Sequence, residues 1–369
     1  MYVTDKILPE LPAPSNAKGI VYWLKTNLFN GPVNTLFTLF GMFLIYKLLP
    51  PVINWAFVDA TWVAETREQC LGEGKGACWA YIANRFDQTM YGFYPLEERW
   101  RPNLAGIMLV LLTIPLFFEK TPKKVWLGGF ILLVFPFIAY ILIHGGYFGL
   151  KEVGTDKWGG LMLTLIISLV GILMALPLGT VLALGRRSKM PIVKSLSVIF
   201  IEFWRGVPLI TVLFMSSVML PLFLPEGTDF DKLARAMIGI ILFQSAYVAE
   251  VVRGGLQAIP KGQYEAAVAM GLSYWKSMFL VILPQAMKLV IPGLVNTFIA
   301  LFKDTTLVLI IGLFDLLAIV QNVLGADSAW LGFDTEGLVY AAFVFWIFTF
   351  SMSRYSMALE RKLDTGHKH

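Results

Sequence analysis

Residues 265–284 read EAAVAMGLSYWKSMFLVILP, and this patterned stretch between long apolar segments decides the fold of the chain. It begins inside Gln263–Met270, a segment rich in alanine and other residues that favour helices. Gly271 follows directly, and glycine readily adopts the left-handed backbone conformation that ends a helix. The stretch therefore predicts a short helix that stops at a glycine corner.

A second short helix is predicted to follow this corner. Ser273 stands where an N-cap residue belongs, and the helix that starts at Tyr274 is expected to end where Pro284 disfavours its continuation. Two short helices joined by a small residue form a protrusion that suits docking into a groove on another protein. An ordinary loop at the membrane surface is the alternative that the same pattern allows.

The composition places the chain in a membrane. Of its 369 residues, 57% are hydrophobic and only 15% are charged, and the mean hydropathy is +0.68. Eight apolar stretches are long enough to cross a bilayer as helices, which takes about 20 residues each. They are Val33–Val58, Pro102–Phe118, Val125–Ile143, Gly159–Leu184, Val207–Leu224, Ala236–Val252, Leu289–Gly312 and Gly337–Tyr355. The predicted fold class is an all-α integral membrane protein with about eight transmembrane helices.

Positively charged residues predict the orientation of these spans. With the N-terminus inside, the inside segments carry 19 lysines and arginines and the outside segments carry 9. Because positive residues favour the cytoplasmic side, both termini are expected in the cytoplasm. The net charge of +5 follows this topology, so we expect no nucleic-acid partner.

The only two cysteines of the chain, Cys70 and Cys78, fall in the long outside loop 59–101. On the predicted topology this loop is periplasmic, where disulfides persist. A disulfide between them is therefore the preferred interpretation, and two unpaired thiols are the alternative. A metal site is not expected there because the loop contains no histidine.

The spacing within 265–284 resembles the EAA signature of importer permeases, E-A-A-x3-G-x9-I-x-L-P. The chain departs from it only at Val281, where isoleucine is usual. In that family this loop forms the coupling helices that sit in a cleft of the ATP-binding subunit, and closure of two such subunits reorients the membrane helices. The resemblance assigns the coupling role to these residues: Glu265, Ala266, Ala267, Gly271 and Pro284.

Three flanking stretches narrow the resemblance to the permeases of polar or general L-amino-acid importers. Residues 202–209 resemble the E-x-x-R-G-x-P stretch of those permeases, and 247–255 resemble the segment before their coupling loop. Residues 302–307 resemble a K-D-T-S-L stretch, with Thr306 where serine is usual. Together the motifs cover about residues 158–357, so the resemblance implies a type I ABC importer transmembrane domain in the C-terminal half.

The predicted domains follow from this coverage. Residues 1–157 form an accessory region with three spans and a periplasmic loop, 158–357 form the transport domain with five spans, and 358–369 form a cytoplasmic tail. By resemblance, the chain is a permease subunit for L-amino acids in the bacterial inner membrane. Its implied partners are two ATPase subunits, a second related permease and a periplasmic amino-acid-binding protein, with membrane lipid around the spans.

Charged residues at membrane depth are candidates for functional sites because burying them is costly. Glu250 and Arg253 lie three residues apart on one helical face, and we weigh a structural ion pair against a conformational latch. Lys303 and Asp304 are candidates for lining a substrate path, since an amino acid carries both charges. Thr305 and Thr306 would add hydroxyl groups, although consecutive helical residues point about 100° apart and cannot all face one pocket.

After the seventh span, apolar residues recur at helical spacing and predict an interfacial helix on the periplasmic side, either gating the outer mouth or simply packed against the bundle. The stripe consists of Leu313, Leu316, Leu317, Val320, Val323 and Leu324.

Several functions are disfavoured by missing motifs. The sequence contains no phosphate-binding G-x-x-x-x-G-K-[ST] loop, metal-ligand cluster or nucleophile motif, so it predicts neither an enzyme nor a bound cofactor. ATP and Mg²⁺ would be used by the partner ATPase. The alternative function is an amino-acid transporter driven by an ion gradient, for which an internal repeat and interrupted helices would be typical. We find no internal repeat.

Overall fold

The computed structural model describes residues 19–118, 121–225 and 230–363 of the chain, which are mostly helical. The helices are α1 Ile20–Asn27, α2 Pro32–Ile53, α3 Trp79–Tyr91, α4 Trp100–Phe117, α5 Lys124–Leu133, α6 Phe135–His144, α7 Gly160–Arg186, α8 Pro191–Gly206, α9 Leu209–Phe214, α10 Lys232–Ala258, α11 Lys261–Ala269, α12 Tyr274–Ser277, α13 Leu283–Asp304, α14 Leu316–Ala318 and α15 Asp334–Leu363. One two-residue strand, β1, covers Phe314–Asp315.

Shorter helical turns extend several of these helices. Five-to-six-residue π-helical turns occupy Asn54–Val58, Met215–Met219, Met278–Ile282 and Ile319–Leu324. Turns of 3₁₀ helix occupy Arg67–Cys70, Leu96–Glu98, Thr155–Lys157, Leu220–Phe223 and Thr305–Ile311.

Seven helical segments in the described residues are long and apolar enough to cross a membrane. They are Pro32–Val58, Leu96–Phe117, Lys124–His144, Gly160–Arg186, Lys232–Ala258, Tyr274–Ile311 and Asp334–Leu363. The pair Pro191–Gly206 and Leu209–Phe223 passes the same test as one bent span, with an angle of 101° between its halves. The predicted class, an all-α membrane protein with about eight spans, is therefore confirmed.

The bend between α8 and α9 has a local cause. Pro208 disfavours helical conformation in the residue before it, and Val207 is accordingly extended, with φ −103° and ψ 132°. The sequence stretch 202–209 thus turns the chain from α8 into the apolar Leu209–Phe223 segment.

The helix that starts at Tyr274 does not end at Pro284, so that prediction is wrong. Pro284 lies in the first turn of α13, directly after the π-helical turn Met278–Ile282. In this wider turn the backbone N–H of Leu283 donates to the carbonyl of Met278. The looser backbone accommodates the proline ring and its missing donor, and the helix continues as a single 38-residue segment, Tyr274–Ile311.

The chain divides into two compact units, Met1–Ala80 and Tyr81–His369. The first contains the span Pro32–Val58 and the disulfide-bearing loop that follows it. The predicted boundaries at residues 157 and 357 were drawn on sequence character and stay predictions. The predicted tail begins inside α15, which runs to Leu363, and its residues 364–369 lie outside the described part of the chain.

The second unit is built around α7 and α10, which pack closely along their lengths because small residues face each other. A Cβ on Gly179 of α7 would lie 2.7 Å from the Ser245 carbonyl oxygen of α10. A Cβ on Gly255 of α10 would likewise lie 2.7 Å from the Ala286 carbonyl oxygen of α13. Such positions admit only glycine, as is common where membrane helices approach each other. They hold α7, α10 and α13 together as the core of the second unit.

Candidate functional site

Residues 259–284, which we call the coupling loop after the role that the resemblance implies, form the corner that the sequence predicts. Gly271 adopts φ +71°, in the left-handed region. The N–H of Leu272 donates to the carbonyl of Ala267 at 3.2 Å, and the N–H of Gly271 donates to that of Val268 at 2.9 Å. These two bonds are those of a Schellman motif, which satisfies the last carbonyls of α11.

Ser273 occupies the N-cap position of α12, but its side chain makes no capping hydrogen bond. Its carbonyl instead accepts from the N–H of Ser277 at 2.8 Å, as the first helical bond requires. The predicted side-chain cap is therefore wrong, while the predicted start of the helix is correct.

The loop presents an exposed surface that combines charge with apolar side chains. Glu265 and Ala266 are exposed, whereas Ala267 is buried beneath them. Val268 and Met270 are 70% and 79% exposed. Tyr274 and Trp275 are also exposed. Sequence reasoning missed these apolar residues, although their place beside the glycine corner of a loop outside the membrane is a usable signal.

Hydrogen bonds tie the coupling loop to the ends of three long helices. The Tyr264 hydroxyl donates to the Leu256 carbonyl of α10 at 3.0 Å and accepts from the Arg187 guanidinium, which follows α7, at 3.0 Å. Gln263 accepts from Gln285 of α13 at 3.1 Å. These hydrogen bonds connect α11 to α7, α10 and α13.

Glu250 lies at the centre of an ion-pair cluster on the same side of the membrane. Its carboxylate accepts from Arg253 at 2.9 Å and lies 3.0 Å from Arg186 of α7 and 3.6 Å from Arg205 of α8. Arg186 also contacts Glu202 of α8 at 2.7 Å. The predicted pair Glu250–Arg253 is thus part of a network that joins three helices.

The structure separates the four candidates for the substrate path. Asp304 lines a cavity of about 370 Å³, which the side chains of Lys303, Thr305 and Thr306 do not line. Lys303 is exposed, and the hydroxyls of Thr305 and Thr306 donate to the carbonyls of Phe302 and Lys303, both at 2.9 Å. Only Asp304 therefore presents its side chain to this cavity.

The cavity beside Asp304 is lined by aromatic, amide and hydroxyl groups. The other lining residues are Phe243, Gln244, Tyr247, Asn296, Thr297 and Ala300. Gln244 donates to the Thr297 carbonyl at 2.8 Å, which joins α10 to α13 across the cavity wall. Asp304 forms no salt bridge with any side chain of the described residues. The carboxylate can therefore receive a cationic group from a ligand.

The connection 312–333, which we call the cap segment, lies on the membrane side opposite the coupling loop. Leu313, Leu316, Val320 and Leu324 of the predicted stripe are at most 4% exposed, so the stripe packs against the chain itself. The helix it predicts is present as Leu316–Leu324.

Asp315 caps this helix while fully buried. Its Oδ1 accepts from the Ala318 N–H at 2.9 Å, but its Oδ2 has no hydrogen-bond partner among the described residues. Burial raises the pKa of this carboxyl to about 6. The backbone N–H groups of Ala318 and Leu317 favour the charged form and lower the pKa, but they offset only part of this rise.

In the first compact unit, the sulfurs of Cys70 and Cys78 are joined in a disulfide. The loop they close is tied to the end of the preceding span, since Ala77 N–H donates to the Trp55 carbonyl at 2.7 Å and Trp79 donates to that of Ala56 at 2.7 Å.

Membrane-spanning helices that carry an exposed helical corner and line a small cavity are typical of the membrane subunit of a transporter. The chain belongs to the family of binding-protein-dependent transport system inner membrane components, whose model matches residues 171–365. It is therefore the permease subunit of an ABC importer, and it is not itself an enzyme. The gradient-driven alternative is not supported.

Three relatives illustrate the range of the family. The inner membrane amino-acid ABC transporter permease protein YhdY of Escherichia coli is 59% identical over 97% of both chains. The glutamate/glutamine/aspartate/asparagine transport system permease protein BztC of Rhodobacter capsulatus is 40% identical, over 100% of this chain and 99% of its own. The glutamate/aspartate import permease protein GltK of Escherichia coli is 32% identical. The match covers 55% of this chain and 91% of GltK.

Proposed function

We propose that this subunit imports L-amino acids and that residues 265–284 of the coupling loop receive the ATPase. The observation that carries the proposal is the exposed corner at Gly271, where Glu265 stands beside the exposed side chains of Val268 and Met270. Apolar side chains around a rigid helical corner suit insertion into a cleft on a partner. Family members work with an ATPase and a substrate-binding protein.

The coupling path that we propose runs from α11 into the transport helices. Tyr264 and Gln263 connect α11 to α7, α10 and α13, and the glycine contacts at Gly179 and Gly255 pack those helices as one body. Closure of the ATPase against α11 would therefore move the helices that line the cavity. The Glu250 cluster, which joins α7, α8 and α10, would act as the latch that re-forms in each cycle.

The substrate class rests on the cavity and on the names of the relatives. A volume of about 370 Å³ lies in the range of small-molecule sites. The unpaired carboxylate of Asp304 suits the ammonium group of an amino acid, and the amides of Gln244 and Asn296 suit its carboxylate. YhdY and BztC are named as permeases for amino acids, which supports the same class here.

The orientation and assembly complete the proposal. The excess of lysine and arginine on the coupling-loop side supports both termini in the cytoplasm. We propose that two ATPase subunits, which use ATP and Mg²⁺, drive this chain together with a second homologous permease. A periplasmic binding protein delivers the amino acid on the opposite side.

The experiment is uptake of labelled amino acids by the complete complex in proteoliposomes, with ATP inside and binding protein outside. A Glu265→Lys variant should leave the complex in the membrane but lose ATP-driven uptake, because the charge is reversed on the exposed docking surface. A Lys261→Glu variant, on the same exposed helix but outside the signature, is the matched control. Normal uptake by Glu265→Lys would show that the docking assignment is wrong.

A further inference from the structure

Part of this chain has no counterpart in the shorter relatives. GltK is matched over 91% of its own length, but by only 55% of this chain. Most of the remaining part of this chain therefore has no counterpart in GltK. The longer relatives YhdY and BztC are matched over nearly their whole length. The family model matches residues 171–365, so α3 lies outside the part of the chain that it covers.

We propose that Tyr81 and Arg85 of α3 are positioning residues that hold the cap segment in place and thereby control access from the outer side. Arg85 lies at a salt-bridge distance of 2.6 Å from Asp327, and its Nε donates to the same carboxylate oxygen at 2.7 Å. Tyr81 is 1% exposed, and its ring lies 6.1 Å from that of Trp330 and 6.2 Å from that of Phe333. α3 thus contacts the second half of the cap segment through one ion pair and one aromatic cluster.

The chain just after α3 contacts the beginning of the cap segment as well. The Phe93 ring meets the Phe314 ring edge to face at 5.8 Å. Within α3, the Thr89 hydroxyl lies 3.1 Å from the hydroxyl of Tyr340 on α15, the helix that follows the cap segment. Gly160, where α7 begins, approaches the same turn of α3 so closely that a Cβ would lie 2.3 Å from the Thr89 carbonyl oxygen. α3 and the turn after it therefore contact both ends of the cap segment, the start of α7 and α15.

The cap segment has features of an element with a second arrangement. Asp315 buries a carboxylate oxygen that has no hydrogen-bond partner in the described part of the chain, and a different packing of the segment would relieve this cost. The segment also contains the π-helical turn Ile319–Leu324, a type of turn frequent at functional sites. An open polar cavity of about 480 Å³ adjoins it, lined by Gln321, Asn322, Gly325, Ala326, Asp334 and Leu338. Contacts from α3 that favour one arrangement shift the population of the other.

This inference rests on the proposed importer function, in which the cap segment faces the binding protein. The test uses the reconstituted complete complex and compares ATP hydrolysis without binding protein with hydrolysis at saturating binding protein. Releasing the clamp with Arg85→Ala should raise the hydrolysis without binding protein about fivefold, the lower end of typical allosteric coupling, and should change the saturated rate by less than about twofold. The exchange Arg85→Asp with Asp327→Arg should restore the wild-type ratio.

Arg99→Ala provides the matched control. Arg99 forms an ion pair of the same length, 2.6 Å, with Asp87 of α3, but this pair does not reach the cap segment. Asp327→Asn, which keeps the shape of the side chain, replaces Arg85→Ala should the latter not assemble. Equal ratios for the Arg99 and the Arg85 or Asp327 variants would overturn the proposal, as would failure of the charge exchange to restore the ratio. A wild-type complex that does not respond to binding protein would count against the proposed function instead.

Discussion

Replacing Gly271 with alanine isolates the contribution of the glycine corner to coupling. The residue has φ +71°, and no atom lies within 4 Å of where a Cβ would be placed, so the alanine methyl group meets open space. The cost is therefore conformational and amounts to about 1–2 kcal/mol, the penalty of left-handed backbone for a residue with a Cβ. This corresponds to a change of about five- to thirtyfold in the equilibrium between the docking geometry and its alternatives.

Gly262→Ala is the matched control in the same loop. Gly262 also faces open space but lies within α11, where alanine is favoured over glycine by about 0.5–1 kcal/mol. Purified complexes in proteoliposomes are assayed for uptake per ATP hydrolysed and for the apparent affinity of added ATPase subunit. We expect Gly271→Ala to weaken that affinity by up to the calculated factor and Gly262→Ala to leave it unchanged. Equal behaviour of the two variants would refute the reasoning that the left-handed corner shapes the docking surface.

Three further predictions concern other parts of the chain. Glu250→Gln should lower the free energy of unfolding of the purified subunit by about 2 kcal/mol or more, because three arginines lose the charge of a mostly buried partner. Glu202→Gln should have a smaller effect, because Glu202 is more exposed and pairs only with Arg186 among the described residues. Equal melting temperatures of the two variants would contradict the proposed latch. Burial raises the pKa of Asp315 from 3.8 to about 6, so the folded state binds the proton more tightly than the unfolded state, and stability is lost as the pH rises from 4 through 6. Asp315→Asn should therefore be more stable than wild type at pH 7 and should lose this advantage near pH 4. A stability difference that does not depend on pH would refute the assignment. Mass mapping without reduction should recover a peptide pair linked through Cys70 and Cys78, and free thiols in membrane-isolated protein would disprove the disulfide.

The sequence predicts most of the fold because lipid imposes one dominant rule on a spanning segment. Long apolar stretches identify the helices. The corner at Gly271 is predictable because glycine readily adopts the positive φ that ends a helix. The continuation through Pro284 could not be predicted, since it depends on a π-helical turn whose hydrogen bonds are not encoded in a simple period. The bend at Pro208 was not predicted, because residues 202–209 were interpreted only through their resemblance to other permeases.

Contacts of the candidate site between residues close in sequence were predictable, whereas contacts between different helices were not. Glu250 and Arg253 could be paired because they share a helix face, whereas Arg186 and Arg205 reach Glu250 only through the packing of α7 and α8 against α10. The grip of α3 on the cap segment joins residues 85 and 327, a contact that no local pattern suggests. Helical spacing did indicate that adjacent residues of the 303–306 cluster cannot share one cavity, and only Asp304 lines it.

The most direct test of the central claim is to purify the detergent-solubilised chain from its native membrane and identify the bound proteins by mass spectrometry. The account predicts recovery of an ATPase and a second permease, with two ATPase copies for each pair of permeases. Recovery of the chain alone, stable and without any ATPase, would contradict it.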